Sequence, residues 1–229
     1  MTISRRALLG AALAGGSVAA LGALPAMAFG RGPASASASA PLVLVDPAVD
    51  PAFGAMAAGN GGRVVTVGGF ADLSRAASWL TATPGGRLVG LLSEADGLLL
   101  RQMVSADTRW LAQAHHCEGG HGGYDSRHQI ACLPSSRGLG RHLAADLAAA
   151  SADFTVVEAP VAGEAVAAAT PSPVANTSRG WQAALGEALG LIAAGRWRAD
   201  RDDSPQIYAE RGNRGQSRPL ALTSFVVAA

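Results

Sequence analysis

The feature that most constrains this fold is a regular alternation of short apolar segments with longer helical segments between residues 42 and 104. The apolar segments are rich in Val and Leu and only five or six residues long, which favours strands buried on both faces. They are LVLVD (42–46), RVVTV (63–67) and RLVGLL (87–92). The helical segments are 50–60, 71–80 and 93–104. Alternation at this spacing predicts right-handed crossovers and a parallel sheet.

The second half of the chain continues the pattern less regularly. Further strands are expected at 108–117, 128–133, 154–160 and 220–228, and further helices at 140–150 and 181–195. The segments 161–176 and 196–218 are expected to be surface connections. The sequence therefore predicts an α/β fold: a three-layer, mostly parallel sheet with flanking helices, forming a single domain over residues 42–229.

The N-terminus has the three parts of a secretory signal. Arg5 and Arg6 precede an apolar stretch over 7–24, and Ala26-Met27-Ala28 ends it as a small-x-small cleavage site. Paired arginines before two leucines are typical of a twin-arginine (Tat) signal, so residues 1–28 are expected to be removed. Retention as a membrane anchor is the alternative. Residues 29–41, rich in Ala and Ser, are predicted to form a disordered leader.

This signal predicts a periplasmic or secreted protein whose partner during export is the Tat translocon. Cleavage removes two of the 18 basic residues and none of the 17 acidic ones, so the formal net charge falls from +1 to −1. A near-neutral chain argues against a nucleic-acid partner. No later segment is long and apolar enough for a membrane span. The Tat route carries folded proteins, which favours a bound cofactor or a cofactor-bearing protein partner.

Both cysteines and four of the five histidines lie in one segment, HHCEGGHGGYDSRHQIAC (115–132). Outside the cytoplasm two cysteines in one domain usually pair. A disulfide between Cys117 and Cys132 would stabilise the fold by about 3 kcal/mol. The interpretation that the sequence favours is therefore a loop closed by this disulfide.

The alternative is a metal site in the same segment. Its ligands would be four histidines, with or without the cysteines: His115, His116, His121 and His128. Imidazole and thiolate donors suit zinc or copper, although the fifteen positions between the cysteines do not match the usual structural zinc spacing. No other cofactor is predicted, because no dinucleotide, haem or phosphate-loop motif is present.

A second candidate ligand site lies where the predicted strands end. In open α/β sheets ligands bind outside the carboxyl ends of strands, and these ends carry Asp46, Ser93 and Glu94. Asp46 is better explained as a turn residue, and Ser93 as a helix cap, because no nucleophile motif surrounds them.

The segments LVLVD and RLVGLLSEADGLLLRQMV give residues 42–104 a resemblance to small bacterial Tat-exported proteins of uncharacterised function. The resemblance implies export and an α/β fold and implies no activity. The sequence thus favours an exported protein with a binding or accessory role, as partner of a cofactor-containing oxidoreductase. The alternative is a periplasmic metal-binding protein or metalloenzyme that uses residues 115–132. Whether the chain is an enzyme is left open.

Overall fold

The computed structural model describes residues 40–59, 61–118, 126–150, 152–160, 168–169, 180–199, 206–210 and 220–229. The predicted signal peptide (1–28) and all but the last two residues of the predicted leader (29–41) lie outside the described residues. Within the described ranges, none of the helices has the length and apolar character that crossing a bilayer requires.

The described chain alternates strands and helices in its first half and is richer in strands afterwards. The strands are β1 Leu42–Val45, β2 Arg63–Thr66, β3 Arg87–Ser93, β4 Arg109–Glu118, β5 Ser126–Cys132, β6 Phe154–Pro160, β7 Ala168–Ala169, β8 Gln206–Glu210 and β9 Leu220–Ala228. The helices are α1 Pro51–Ala58, α2 Phe70–Ala82, α3 Glu94–Met103, α4 Leu139–Ala149 and α5 Trp181–Ala193, with a 3₁₀ turn at Pro134–Ser136.

All the described strands form one sheet in the order β2-β1-β3-β9-β4-β5-β6-β8-β7. The α/β class is confirmed, but the prediction of a mostly parallel sheet is wrong. Four pairs are parallel, namely β1 with β2 and β3, β5 with β6, and β7 with β8. The other four pairs are antiparallel. The short β4–β5 connection permits only a hairpin, and β9 enters the sheet antiparallel between β3 and β4.

Helices cover the sheet on both sides and divide the core into two clusters. The α5 face, which carries Val43, Leu91 and Val226, packs against α1, α4 and α5. The opposite face, which carries Leu88 and Phe225, packs against α2 and α3. In the central strands β1, β3 and β9, alternate residues enter opposite clusters, as expected for strands that are buried on both faces.

Helix α5 approaches α1 closely because two glycines lie in the contact. A Cβ atom at Gly190 would lie 2.7 Å from the carbonyl oxygen of Ala57, and one at Gly186 would overlap the main chain of Phe53. At the helix starts, the main-chain N–H of Asp50 donates to Gln182 Oε1 at 2.6 Å. These contacts hold the first turn of α5 over one edge of the sheet.

That edge is the carboxyl edge, defined here by the ends of β1, β3 and β4 at Val45, Ser93 and Glu118. These three strands run in the same direction, because β9 is antiparallel to both β3 and β4. The strands β5 and β6 begin at this edge, so their own carboxyl ends, at Cys132 and Pro160, lie at the opposite edge.

Candidate functional site

The predicted strand-end residues do come together at the carboxyl edge. Asp46 Oδ2 accepts a hydrogen bond from the main-chain N–H of Ser93 at 3.2 Å, and Asp46 Oδ1 accepts from the N–H of Ala48 at 2.8 Å. Ser93 Oγ caps α3 by accepting from the N–H of Asp96 at 3.2 Å, and it donates to Asp96 Oδ2 at 2.9 Å. These groups are therefore engaged in turn formation and helix capping.

Glu94, in the first turn of α3, lies beside a histidine of β4. Its Oε1 is 3.7 Å from His115 Nδ1, and both side chains are about half exposed. Hydrogen bonding to His115 lowers the pKa of Glu94, burial opposes this, and the charge of His115 adds to the lowering. Because the pair is exposed to water, it contributes little to stability.

The predicted disulfide between Cys117 and Cys132 is contradicted by the structure, in which both cysteines are free. Cys132 is opposite Ala112 in the β4–β5 register, whereas Cys117 is opposite Arg127. The two positions are thus separated by five residues along the strand, about 17 Å, and their side chains point to opposite faces. A disulfide needs Cα atoms within about 7 Å.

Neither thiol is activated as a nucleophile. Burial, followed by the charge of Glu158 and a hydrogen bond to it, raises the pKa of Cys132 far above its ordinary value. Cys132 Sγ donates to Glu158 Oε1 at 3.2 Å, and this carboxylate also accepts from the N–H groups of Gly138 at 2.8 Å and Gly140 at 2.9 Å. Burial, then the charge of Glu94, raises the pKa of Cys117. Thiolate, the reactive form, is disfavoured at both positions.

Two of the predicted metal-ligating histidines meet on the α5 face near the carboxyl edge. His116 of β4 and His128 of β5 are directly opposite in the register. Their Nδ1 atoms lie 2.8 Å apart, and His116 Nε2 lies 2.8 Å from Ser224 Oγ of β9. Their exposed fractions are 1 % and 0 %. We call these two residues the histidine pair.

The short Nδ1–Nδ1 distance determines the protonation of the histidine pair. One ring must donate through Nδ1–H while the other accepts through an unprotonated Nδ1. If His116 donates, its Nε2 accepts from the Ser224 hydroxyl; if it accepts, its Nε2–H donates to Ser224. In either case His128 Nε2 has no hydrogen-bond partner among the described residues. A buried polar nitrogen left without a partner is unfavourable and typical of functional positions.

Burial keeps both imidazoles neutral. It lowers the pKa of His128 to about 3. Burial, then the charges of His128 and His115, lowers the pKa of His116 well below its ordinary value. Near neutral pH the pair therefore presents uncharged rings, the form in which histidine binds metal ions.

Trp181, the first residue of α5, covers the histidine pair. Its ring centroid lies 5.1 Å from that of His116 and 5.0 Å from that of His128. Its indole Nε1–H donates to Glu118 Oε1 at 2.6 Å. Glu118 follows His116 by two residues on β4, so its side chain leaves the same face of the sheet.

The four predicted metal-ligating histidines do not form one site. His115 and His116 are consecutive residues of β4, so their side chains lie on opposite faces. His121 lies outside the described residues. In the part of the chain that the structure describes, no three His, Cys, Asp or Glu side chains are arranged to hold a metal ion.

Three residues of the site were missed in the sequence: Glu118, Trp181 and Ser224. The i, i+2 spacing of His116 and Glu118 in a strand was an available signal for a shared face. Trp181 lies in a segment (181–195) that was predicted only to be a helix, and nothing in the sequence placed Ser224 next to His116. The long-range packing of α5 and β9 brings these two residues to the histidines.

Comparison of the chain with protein-family models, with curated proteins and with solved structures found no match. The resemblance of residues 42–104 to small Tat-exported proteins stays a prediction. We therefore take the function from the chemistry of the histidine pair.

Proposed function

We propose that this is an exported binding protein that takes up a transition-metal ion, zinc or copper, at His116 and His128 and acts in an accessory role. One observation carries the proposal: two buried, neutral imidazoles point their Nδ1 atoms at each other across 2.8 Å. Imidazole nitrogen is a good ligand for both metals.

The spacing of the two nitrogens is close to what a metal ion requires. Two nitrogens bound tetrahedrally to zinc at 2.0–2.1 Å are about 3.3 Å apart. The two Nδ1 atoms would therefore have to separate by about 0.5 Å, and both rings would have to turn so that their Nδ1 lone pairs converge on the ion. The proton shared by the pair would move to Nε2 of its own ring, so both imidazoles stay neutral and uptake near neutral pH releases no net proton.

The hydrogen bond to Ser224 also fits a metal-ligating histidine. Such a residue usually donates its second ring N–H to an oxygen, which fixes the tautomer and the orientation of the ring. With a metal ion on Nδ1, His116 carries its proton on Nε2 and donates it to Ser224 Oγ, 2.8 Å away. Ser224 would thus stay hydrogen-bonded to His116 Nε2 in both the metal-free and the metal-bound protein.

The described residues favour binding over catalysis. The hydroxyl of Ser224 is engaged by His116 Nε2 at 2.8 Å. Both thiols have raised pKa values, and Asp46 and Ser93 are occupied as turn and cap. The predicted export route also carries cofactor-containing oxidoreductases, and delivering or retaining a metal for such an enzyme is the accessory role that we propose.

Isothermal titration calorimetry of the chelator-treated protein with Zn²⁺, and separately with Cu²⁺, tests the proposal. We expect one ion per chain, with a heat of binding at about pH 7 that is the same in buffers of different ionisation enthalpy, because both imidazoles are already neutral. The double variant His116→Asn/His128→Asn should abolish binding. His115→Asn, on the opposite face, is the matched control and should bind like the wild type. Absence of binding by the wild-type protein, or equal binding by the double variant, would refute the proposal.

A further inference from the structure

Two imidazoles leave the coordination of a zinc or copper(II) ion incomplete, since such sites usually contain at least three protein ligands. A buried dication between two neutral rings also lacks a counter-charge, and uncompensated buried charge is strongly unfavourable. The remaining ligand should therefore be anionic and should lie on the α5 face near the carboxyl edge.

Glu118 meets both requirements. It follows His116 by two residues on the same face of β4. It is opposite Ser126 in the register, and these two residues lie nearer the carboxyl edge than the histidine pair does. Its carboxylate is connected to the pair through one residue, since the indole that donates to Glu118 Oε1 also packs against both imidazole rings.

The other glutamates beside the candidate groups are directed elsewhere. Glu94 lies next to His115, whose side chain leaves the opposite face of β4. Glu158 is 3 % exposed and accepts hydrogen bonds from Gly138 and Gly140 at the start of α4, near the opposite edge of the sheet. Glu118 is not in contact with the Nδ1 atoms either, since its Oε1 accepts from Trp181, so among the described residues the three-ligand site forms only if this carboxylate moves.

We propose that Glu118 is the third ligand of the metal ion, and that binding transfers its carboxylate from the indole of Trp181 to the ion. This inference rests on the proposed function. Two histidines and one carboxylate form a ligand set that zinc accepts readily, and the carboxylate reduces the net charge of the site from +2 to +1. In the metal-free protein the carboxylate of Glu118 is therefore hydrogen-bonded to Trp181, and it becomes a ligand only when the ion binds.

The exchange is feasible because both partners are only partly buried. Trp181 and Glu118 have intermediate exposure, so the indole N–H released by the carboxylate can donate to water. Trp181 is also at the first position of α5, where a change of side-chain rotamer does not disturb the helical hydrogen bonds. Metal uptake should thus be reported by the environment of this tryptophan.

Glu118→Gln tests the ligand assignment with little structural change. The amide keeps the length of the side chain and can still accept the indole hydrogen bond, but it is a much poorer ligand for zinc. We expect Zn²⁺ affinity to fall by at least about tenfold, since even the loss of groups that merely support a ligand weakens metal sites by about 10- to 100-fold. Glu94→Gln is the matched control and should leave the affinity unchanged.

A second measurement follows Trp181 directly. The protein is labelled with 5-fluorotryptophan, and the ¹⁹F resonance of Trp181 is identified by its absence in Trp181→Phe. At saturating Zn²⁺ this resonance should shift in both proteins, since the indole packs on both imidazoles, but the shift should be smaller in Glu118→Gln, in which the indole keeps its hydrogen-bond acceptor. Circular dichroism of each variant verifies the fold.

The outcomes separate the two proposals. If the wild type binds neither Zn²⁺ nor Cu²⁺, the proposed function fails and the ligand assignment fails with it. If the wild type binds Zn²⁺ through the histidine pair but Glu118→Gln binds equally well and the Trp181 resonance shifts by the same amount in both proteins, the metal function stands and the assignment of Glu118 is wrong.

Discussion

The buried histidine pair should make the stability of the metal-free protein fall steeply in mild acid. An unfolded chain binds a proton at His128 below its ordinary pKa of 6.5, whereas burial lowers the pKa in the folded protein to about 3. Stability that is fully present above pH 6.5 is therefore lost progressively as the pH falls toward 3.

The size of the effect follows from these two values. At about pH 4.5 the unfolded state gains roughly 3 kcal/mol from protonating His128, at about 1.36 kcal/mol per pH unit, while the folded state gains almost nothing. Burial lowers the pKa of His116 as well, so this residue adds to the loss in the same direction. These losses are large beside the 5–15 kcal/mol that is typical of a folded domain.

Urea denaturation in the presence of a chelator, at about pH 7 and about pH 4.5, measures the effect for the wild type and for His128→Asn. The variant should be less stable at pH 7 but should lose about 2 to 3 kcal/mol less than the wild type on acidification. Carboxylates that titrate over the same range are common to both proteins and cancel in the comparison. His115→Asn, on the partly exposed side of β4, should keep the wild-type loss.

Equal losses of stability in the wild type and in His128→Asn would refute this reasoning. That result would mean that the imidazole of His128 is hydrated or charged in the folded protein. It could then not be buried as a neutral ring.

Three further predictions concern the thiols and the packing. Thiol titration of non-reduced protein should find Cys132 unreactive in the folded state, and both Cys117 and Cys132 reactive after denaturation. If the denatured protein has no free thiol, the two cysteines form the disulfide that the sequence predicted. Gly186→Ala should lower the free energy of unfolding by about 1–3 kcal/mol in urea, because the added methyl group overlaps the main chain of α1; unchanged stability would contradict the close approach of α1 and α5. Glu158→Ala should lower the free energy of unfolding by about 2–3 kcal/mol, because it removes the acceptor of two buried N–H groups. Glu94→Ala, at a half-exposed position, should lower it by under about 0.5 kcal/mol. Similar losses of thermal stability in the two variants would contradict the role of Glu158.

Local patterns predicted the elements of this fold well. The sequence Asp50-Pro51 was expected to begin a helix, and Asp50 Oδ1 indeed accepts from the N–H of Ala52 at 2.8 Å. The seven predicted strands are found within two residues of their predicted bounds. The strand Gln206–Glu210 was missed because arginines and acids surround it and conceal its short alternation.

The order and direction of the strands depend on contacts between distant segments. An apolar run such as Leu220–Ala228 indicates a central strand, but its residues do not specify which neighbours it will have. Its insertion between β3 and β4 makes the sheet mixed. The same insertion brings Ser224 to the histidine pair, which is why this contact was not predicted.

The disulfide prediction failed on strand register. It required Cys117 and Cys132 to lie opposite each other, whereas β5 begins at Ser126 and ends at Cys132. In an antiparallel hairpin, residues at equal distances from its middle are paired. The middle of residues 119–125 is position 122, which pairs His116 with His128 and excludes a pair between Cys117 and Cys132.

The protonation and metal binding of the histidine pair provide the most direct test of this account. Long-range ¹H–¹⁵N correlation spectra of ¹⁵N-histidine protein can be recorded with a chelator and again after one equivalent of Zn²⁺. We predict two neutral rings near pH 7, only one of them protonated on Nδ1, and loss of that proton with shifts of both Nδ1 nitrogens when zinc binds. A charged ring, the same tautomer in both rings, or spectra that zinc leaves unchanged would contradict it.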